Sequence, residues 1–573
     1  MYISSYLSLN TALSGVEAAQ EQLDTTGQNI TNANTPGYEA QTVNLVESPS
    51  LNISGSAADG ALQLGTGVDA ISISNSGDPY LDAAWRQTSA STNAATTTQS
   101  FMQQIQTALN EPSAQGISAQ LTSFWTDWNN LADNPNDSAA QQAVVQQGQQ
   151  VADAFNSLSG ELNGPDPTKP LDPSNTSSVL GQVNAQYMAT MEGPTASGAS
   201  GGTLYNDAYN ISSLNYSIVQ AQSAGQNPND LIDQRNAALD SLSSLGSVQV
   251  QNNTDGSVSV YFGGVTGTAL INDPVGIPPG GTVPPGDNFG SYSSGGASPG
   301  TGWAGAWQAQ FASAAGAGTS AASLASTVGG TLGSLIGLAG YSAAGFSNIG
   351  TPTFAAGATS YATPTAATQA GTIGTITSSL NTVASDLASE VNNPTQTGSA
   401  TKLTLNAPFF TASSGATITA ATLQVSSSLQ AAAQNGITPQ AVSSSTAAGG
   451  NTQGTSNVQV SSLAVAPPAT VASNASDNDV ALDEAANAGG AADTAYQSFV
   501  QQVGSLAQGA NTQAATQSAL QTQITNQRTS VEGVDLSQEM ANLVSEQQSY
   551  QASAKVMNAF STVMNSLMTV VGQ

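Results

Sequence analysis

The chain has no cysteine, no histidine and only six basic residues. Without cysteine there are no disulfides, thiolate nucleophiles, zinc fingers or iron–sulfur clusters. Without histidine there is no Ser-His-Asp triad, no imidazole general base and no imidazole metal ligand. The bases, Arg86, Lys169, Arg235, Lys402, Arg528 and Lys555, stand one at a time along the sequence against 36 acids, for a net charge of −30. Phosphate binding needs clustered Lys and Arg, so no nucleic-acid partner is expected. Charged residues make up 7% of the 573, where a soluble domain carries roughly 25%.

The N-terminus also lacks something. Met1 to Gly15 has no base, and Ser, Asn and Thr interrupt its apolar residues, so it does not read as a cleavable signal peptide. A chain poor in lysine and rich in Ser, Thr, Asn and Gly nevertheless has the composition of an extracellular surface. Export that leaves the N-terminus uncut reconciles the two.

What is present is helical periodicity. Tyr2, Tyr6, Leu9, Leu13, Val16, Gln20, Leu23, Gly27 and Ile30 alternate in steps of four and three, a seven-residue repeat that predicts a helix with one apolar seam. It stops at Thr35-Pro36-Gly37, a breaker cluster. The last segment has the same alternation through Leu536, Met540, Leu543, Gln547, Tyr550, Ala554, Met557, Ser561, Met564, Met568 and Val571. A second stripe, Val556, Phe560, Val563, Leu567 and Val570, runs beside it. That apolar face is wider than a two-stranded coil needs and suits packing among several neighbours. A seam with almost no charge must be covered, either by the chain's own bundle or by other subunits.

Further helices are predicted where Ile117, Leu121, Phe124, Trp128 and Leu131 recur, and where Val144, Gly148, Val151, Phe155, Leu158 and Leu162 recur. Another runs through Phe499, Val503 and Leu506 towards Leu520 and Ile524. Around Asp255-Gly256 the period falls to two, with Val248 and Val250 before the turn and Val258, Val260 and Phe262 after it, which predicts a β-hairpin near 248–262. From 272 to 483 the composition turns to Gly, Ser, Thr and Ala, and short strands with long loops are expected. Gly329, Gly333 and Gly337 are spaced as in a membrane glycine zipper. Ser and Thr interrupt that run and no base flanks it, so no membrane insertion is expected.

Three apparent catalytic or metal motifs carry no chemistry. Gly198-Ala199-Ser200-Gly201-Gly202 has the form of a nucleophile elbow but no histidine to serve it. Ser399-Ala400-Thr401-Lys402 has the Ser-x-x-Lys form without a companion Lys-Thr-Gly. Asp477, Asp479, Asp483 and Glu484 lack the glycine of a calcium loop and read as a solvated acidic stretch. No catalytic, cofactor or metal residue is assigned, and no enzyme activity is expected.

Ala12-Leu13-Ser14-Gly15-Val16, Ala19-Gln20 and Leu23, followed by Asn29-Ile30-Thr31-Asn32-Ala33-Asn34-Thr35-Pro36-Gly37-Tyr38, resemble the N-terminal motif of the bacterial flagellar axial proteins, the rod, hook and hook-associated subunits. Asn229-Asp230-Leu231-Ile232-Asp233-Gln234-Arg235 with the hairpin after it, the region from Tyr80 to Leu162, and the C-terminal run from Gly533 to Val556 resemble the hook-associated members. Family members commonly carry a base shortly after the Gly-Tyr pair, where this chain has Glu39-Ala40.

The resemblance implies a secreted, extracellular subunit of the flagellum, exported by the flagellar type III apparatus and seated between hook and filament. Its implied partners are copies of itself in a ring, the hook protein, a second hook-associated junction protein and an export chaperone on the C-terminal helix. The fold expected is mainly α, a long coiled-coil-like bundle from both termini with a β-rich or irregular Gly-rich central insert. The implied division is an assembly domain of 1–35 and 534–573, a helical domain of 36–271 and 484–533, and an outer insert of 272–483. The assembly seam would be Leu9, Leu13, Val16, Leu23, Ile30, Leu536, Met540, Leu543, Tyr550, Met557 and Met564; the family motif is Asn29, Asn32, Asn34, Thr35, Pro36, Gly37 and Tyr38. The rival readings are the hook protein or another axial subunit, a Gly-rich surface adhesin, and a surface hydrolase working with paired carboxylates. The helical region before residue 165 argues against the hook protein, the paired terminal repeats argue against the adhesin, and no candidate carboxylate pair supports the hydrolase.

Overall fold

The computed structural model describes residues 2–53, 62–134, 137–164, 176–191, 202–264, 269–272, 320–341, 371–392, 408–413, 417–434 and 490–571. Lys169, Lys402, Ser200 and the acidic group Asp477 to Glu484 lie outside them. The protein is mainly helical, and its described strands form four antiparallel two-stranded pairs. The chain divides into two compact units.

The first unit comprises Met1–Thr92, Gly193–Trp307 and Gln517–Gln573. It holds α1 (Tyr2–Asn32) and α13 (Leu536–Val571), packed on one another. Between α1 and the next helix run β1 (Gln41–Glu47), β2 (Leu51–Ile53), β3 (Leu62–Leu64) and β4 (Val68–Asn75). β1 pairs with β4 from Gln41↔Asn75 to Glu47↔Val68, and its register shifts at Asn44/Leu45. α6 (Thr203–Ser223) and α7 (Asn229–Leu245) form a helical hairpin against the ribbon β5 (Val248–Asn252) and β6 (Val258–Phe262). The turn Asp255-Gly256 is the one read from the sequence. Gly256 has φ +85°, and the Ser257 amide donates to Asp255 Oδ1 at 3.1 Å.

Arg235 explains why that ribbon stays on α6. Its guanidinium donates to the Gly256 carbonyl at 2.8 Å and to Asn215 Oδ1 at 3.2 Å. Asn215 in turn accepts from the Val258 amide and donates to the Val258 carbonyl, at 3.1 and 2.9 Å. Burial lowers the Arg235 pKa to about 10, which still leaves it charged near neutrality.

The second unit comprises Asn93–Glu192 and Gln308–Thr516. α2 (Pro79–Leu109) enters it, followed by α3 (Ile117–Asp133), α4 (Ser138–Asn163) and α5 (Val179–Met191). The apolar stripes read from the sequence are buried faces here: Ile117, Leu121, Phe124, Trp128 and Leu131 on α3, and Val144, Gly148, Val151, Phe155, Leu158 and Leu162 on α4. On α12 (Ala491–Glu532) Phe499 and Val503 are buried, whereas Leu506 and Leu520 are exposed. Glu390 caps the start of α12, accepting from the amides of Ala491 and Ala492 at 3.2 and 2.8 Å.

The region 272–483 is expected to form short strands and long loops, but its described residues are mostly helical. Its described residues form α8 (Ala321–Val328), α9 (Gly330–Ala339), α10 (Thr372–Asn392), α11 (Ser427–Gln434) and one short strand pair, β7 (Phe410–Ala412) with β8 (Leu423–Val425). These pieces are core of the second unit. The Phe124 ring lies 5.7 Å from Phe409 and 5.8 Å from Phe410, and Gly148 leaves the space that the Phe409 ring occupies. Asn163 on α4 donates to Thr377 on α10 at 3.0 Å. Low charge and many glycines suggested exposed loops, but the same composition also permits close helix packing. Gly333 and Gly337 face Ala325 of the preceding helix, and the break at Gly329-Gly330, both at positive φ, separates α8 from α9. The described helices include none long and apolar enough to cross a membrane.

Candidate assembly surface at the paired termini

The residues expected to form the assembly seam are covered unevenly on the paired helices α1 and α13. Leu13 is 41% exposed, and Leu9, Val16, Leu23 and Ile30 are half-buried. On α13, Leu536, Met540, Tyr550 and Met564 are exposed and Leu543 and Met557 half-buried. Val544, Val556, Val563 and Met568 extend the exposed apolar surface.

Small residues take part in the contact between the two helices. Ala12, Ala19 and Thr26 are buried at seven-residue spacing, with Gly15 between the first two. A Cβ added at Gly15 would lie 3.1 Å from Ser553 Oγ on α13. Thr26 hydrogen-bonds the Glu546 carboxylate of the same helix, which counters the upward push that burial gives that group. Small side chains let the backbones approach closely at these points. The 3–4 recurrence of Ala12, Gly15, Ala19 and Thr26 is visible in the sequence, but a search for large apolar residues passes over it.

The family motif forms a locked turn at the end of α1. Asn29, 1% exposed, accepts from the Tyr38 hydroxyl at 2.8 Å and from the Gln41 amide at 2.9 Å, and donates to the Gln41 carbonyl at 2.8 Å. Asn32 donates to the Gln28 carbonyl, and its own carbonyl accepts from the Thr35 amide at 2.8 Å. Gly37 has φ +80°, and the Tyr38 amide closes back on the Thr35 carbonyl at 3.2 Å. Asn34, Thr35, Pro36 and Gly37 are exposed. The motif therefore sets the direction in which the chain leaves α1. Burial first, and then the charges of Asp230, Asp233 and Glu539, push the Tyr38 hydroxyl well above its ordinary pKa, so it stays a donor.

The segment beginning at Asn229 is the plate beneath that turn. Asp230 accepts from Gln28 at 3.2 Å and Gln41 at 3.1 Å, Asp233 from the Glu39 amide at 3.3 Å, and the Asn229 side chain donates to the Ile73 carbonyl at 3.1 Å. The end of α12 completes the joint. The Glu532 carbonyl accepts from the Ala40 amide and the Ser76 hydroxyl, and its carboxylate accepts from the Asp78 amide at 3.0 Å.

Two of the bases that are scattered in the sequence meet here. Arg528 pairs with Asp82 at 2.6 Å, Asp240 at 2.5 Å and Glu532 at 2.7 Å, while Arg86 pairs with Asp240 at 2.8 Å and Asp82 at 3.4 Å. Burial works against the Arg528 charge, but Asp240, Asp82 and Glu532 outweigh it and hold its pKa above the ordinary value. The guanidinium also lies 5.3 Å from the centre of the Trp85 ring. The sequence carries half the signal in Asp82/Arg86 and Arg528/Glu532, each four apart on a helix. Their meeting across 442 residues has no local signature.

Glu39, Asp82 and Glu532 bring carboxylate oxygens within 4.8 Å of one another. Asp82 and Glu532 are already engaged by guanidinium, so the arrangement holds arginine rather than a metal ion.

The family described as "Flagellar hook-associated protein FlgK helical domain" matches residues 102–166 and 203–410, and "Flagella basal body rod protein" matches residues 9–38. Flagellar hook-associated protein 1 of Bacillus subtilis is 31% identical over 254 residues, 44% of this chain and 45% of the relative. The protein of that name from Salmonella typhimurium is 28% identical over 266 residues, covering 46% and 41%. That of Escherichia coli is 26% identical over 254 residues, covering 44% and 41%. The matches thus span less than half the length of each relative. A solved structure, the flagellar hook junction protein FlgK from Burkholderia pseudomallei, aligns over 58% of this chain and 47% of its own with TM-score 0.32 and 18% identity. The chain is thus similar to the FlgK helical domain behind a segment similar to flagellar rod proteins, and in sequence it is similar to flagellar hook-associated protein 1.

Proposed function

We propose that this chain is a non-catalytic structural subunit of the bacterial flagellum, seated at the junction between hook and filament. One observation carries the reading. The chain pairs its own termini and leaves Leu13 on α1 and Leu536, Met540, Val544, Val556 and Val563 on α13 exposed. A stripe of that length exposed on a charge-poor helix is an interaction surface. Packing of identical copies through contacts that are not self-complementary builds a ring or a helical tube. The single charge of α13 after Glu546 is Lys555, so stacked copies meet no like-charge repulsion along that helix.

The partners on this reading are copies of the chain in a ring, the hook protein on one side and a second hook-associated junction protein on the other. An export chaperone would cover the apolar C-terminal helix before assembly, and export would use the flagellar type III apparatus. The helical domain distinguishes the subunit from the hook protein, and the exterior of the cell is its place of work. Deletion of the gene tests the proposal. Cells lacking the chain should build hooks, fail to retain filaments and shed filament protein into the medium, and the intact gene should restore them. Normal filaments in the deletion strain would overturn it.

A further inference from the structure

The buried joint below the paired termini holds more acid than its bases can neutralise. Arg86 and Arg528 are shared among Asp82, Asp240 and Glu532. Two further carboxylates, Glu39 at 2% and Asp233 at 6% exposure, receive neutral donors. Asn236 donates to Glu39 at 3.0 Å and Asn75 at 2.6 Å, while the Glu39 amide and the same Asn75 side chain reach Asp233 at 3.3 and 3.5 Å. One amide thus bridges both carboxylates.

We infer that Glu39 and Asp233 form a proton-operated latch: a proton held on the pair keeps the turn after α1 closed on Asn75 and α7, and losing it loosens that turn. Three chain segments meet at the pair, the turn Tyr38–Ala40, the end of β4 at Asn75–Asp78 and α7, and Glu532 ties the first two to α12. Whatever loosens Glu39 therefore loosens the attachment of α1. A cavity of about 610 Å³ lined by Glu39, Asn75, Asp82, Arg86 and Asn236 gives protons a route to the site.

Every neighbouring element contributes charge. The turn brings Tyr38; β4 leads to Asp78; α2 brings Asp82 and Arg86; α7 brings Asp230, Arg235 and Asp240; α12 brings Arg528 and Glu532; and α13 brings Glu539. The acids outnumber the bases. Burial, then the Asp233 charge, pushes Glu39 up to about 7, and burial pushes Asp233 up to about 6 against the hydrogen bonds from Glu39 and Asn75. Both values lie above the ordinary 4.5 and 3.8, so the folded state binds more protons than the unfolded one between those limits. The stabilisation is fully present below the ordinary range and is lost as pH rises through about 6 to 7.

The test is amide exchange of residues 36–42 in the full chain, corrected for the intrinsic pH dependence of exchange. Protection should fall about tenfold between pH 5.5 and 8, the equivalent of one pH unit of linkage. In Glu39→Gln, which removes the group near 7 and leaves Asp233 near 6, the fall above about pH 6.5 should be lost. In Asp233→Asn, which removes the nearest like charge, the midpoint should move to lower pH. Glu17→Gln, on the exposed face of α1, should keep the wild-type profile. Protection that does not change with pH in the wild type, or an unchanged profile in Glu39→Gln and Asp233→Asn, would overturn the latch.

Discussion

Gly15 on α1 lies directly against Ser553 on α13, so close that a methyl group there would stand 3.1 Å from the serine hydroxyl. Through such contacts the first and last helices, more than five hundred residues apart, become neighbours in a single chain. Glycine at a helix interior costs about 1 kcal/mol relative to alanine, so Gly15→Ala combines a propensity gain with a small displacement of Ser553. Its stability should match wild type to within about 0.5 kcal/mol. Gly15→Leu has no such room and should part the helices, seen as rapid proteolysis of both ends while residues 93–192 resist.

Leu13 and Leu543 separate assembly from folding. Leu13 is 41% exposed, so Leu13→Asp should change the urea midpoint of the free chain by less than about 0.5 kcal/mol equivalent. If the outer stripe packs between copies, the same charge is buried in the assembly without a partner, at several kcal/mol per subunit. The expected phenotype is an exported subunit that does not seat, with filament protein shed. Leu543 is half-buried, so Leu543→Asp should also weaken the monomer. Normal filaments in a Leu13→Asp strain would remove the stripe from the assembly account.

The turn motif makes a prediction about stability rather than binding. Asn29→Ala leaves the buried Gln41 amide and carbonyl without their partner, which costs about 1–3 kcal/mol. Tyr38→Phe removes one hydrogen bond to Asn29 and should cost about 1 kcal/mol. Because both act through the same asparagine, the double variant should be no worse than Asn29→Ala alone. Additive losses in urea unfolding would show that the two residues act independently.

Arg528→Met keeps the stem length but leaves Glu532 without a guanidinium and Asp82 and Asp240 with Arg86 alone in a buried site, at a cost of about 3–5 kcal/mol. Screening by salt is weak for buried groups, so 0.5 M sodium chloride should not restore the variant's midpoint. Recovery in salt would place the cluster in contact with solvent.

Phe409 tests whether the middle of the chain is core or appendage. Its ring is fully buried and lies 5.7 Å from Phe124 and 5.8 Å from Trp128. Phe409→Ala should cost about 3–5 kcal/mol, and excision of 320–434 should leave α3 and α4 with an exposed aromatic face and an aggregating product. A soluble, cooperatively folding deletion would return this segment to the status of an outer insert.

The seven-residue repeats of the termini, the stripes on α3 and α4 and the hairpin at Asp255-Gly256 were legible because each rests on a periodicity or turn that neighbouring residues set by themselves. For the described stretches of 272–483 composition does not decide: Gly, Ala and Ser describe a loop and a tightly packed helix equally well, and only contact with Phe124, Gly148 and Asn163 decides between them. The terminal seam shows the same limit. Sequence determined that α1 carries an aliphatic stripe and a row of small residues; tertiary structure decided that Gly15 and Thr26 of the small row meet α13 and that Leu13 of the stripe is exposed, because close backbone approach is possible only where side chains are short. Arg86 and Arg528 are lone charges in the sequence and one buried cluster in the fold, since electrostatic partners are set by distance through space and not along the chain.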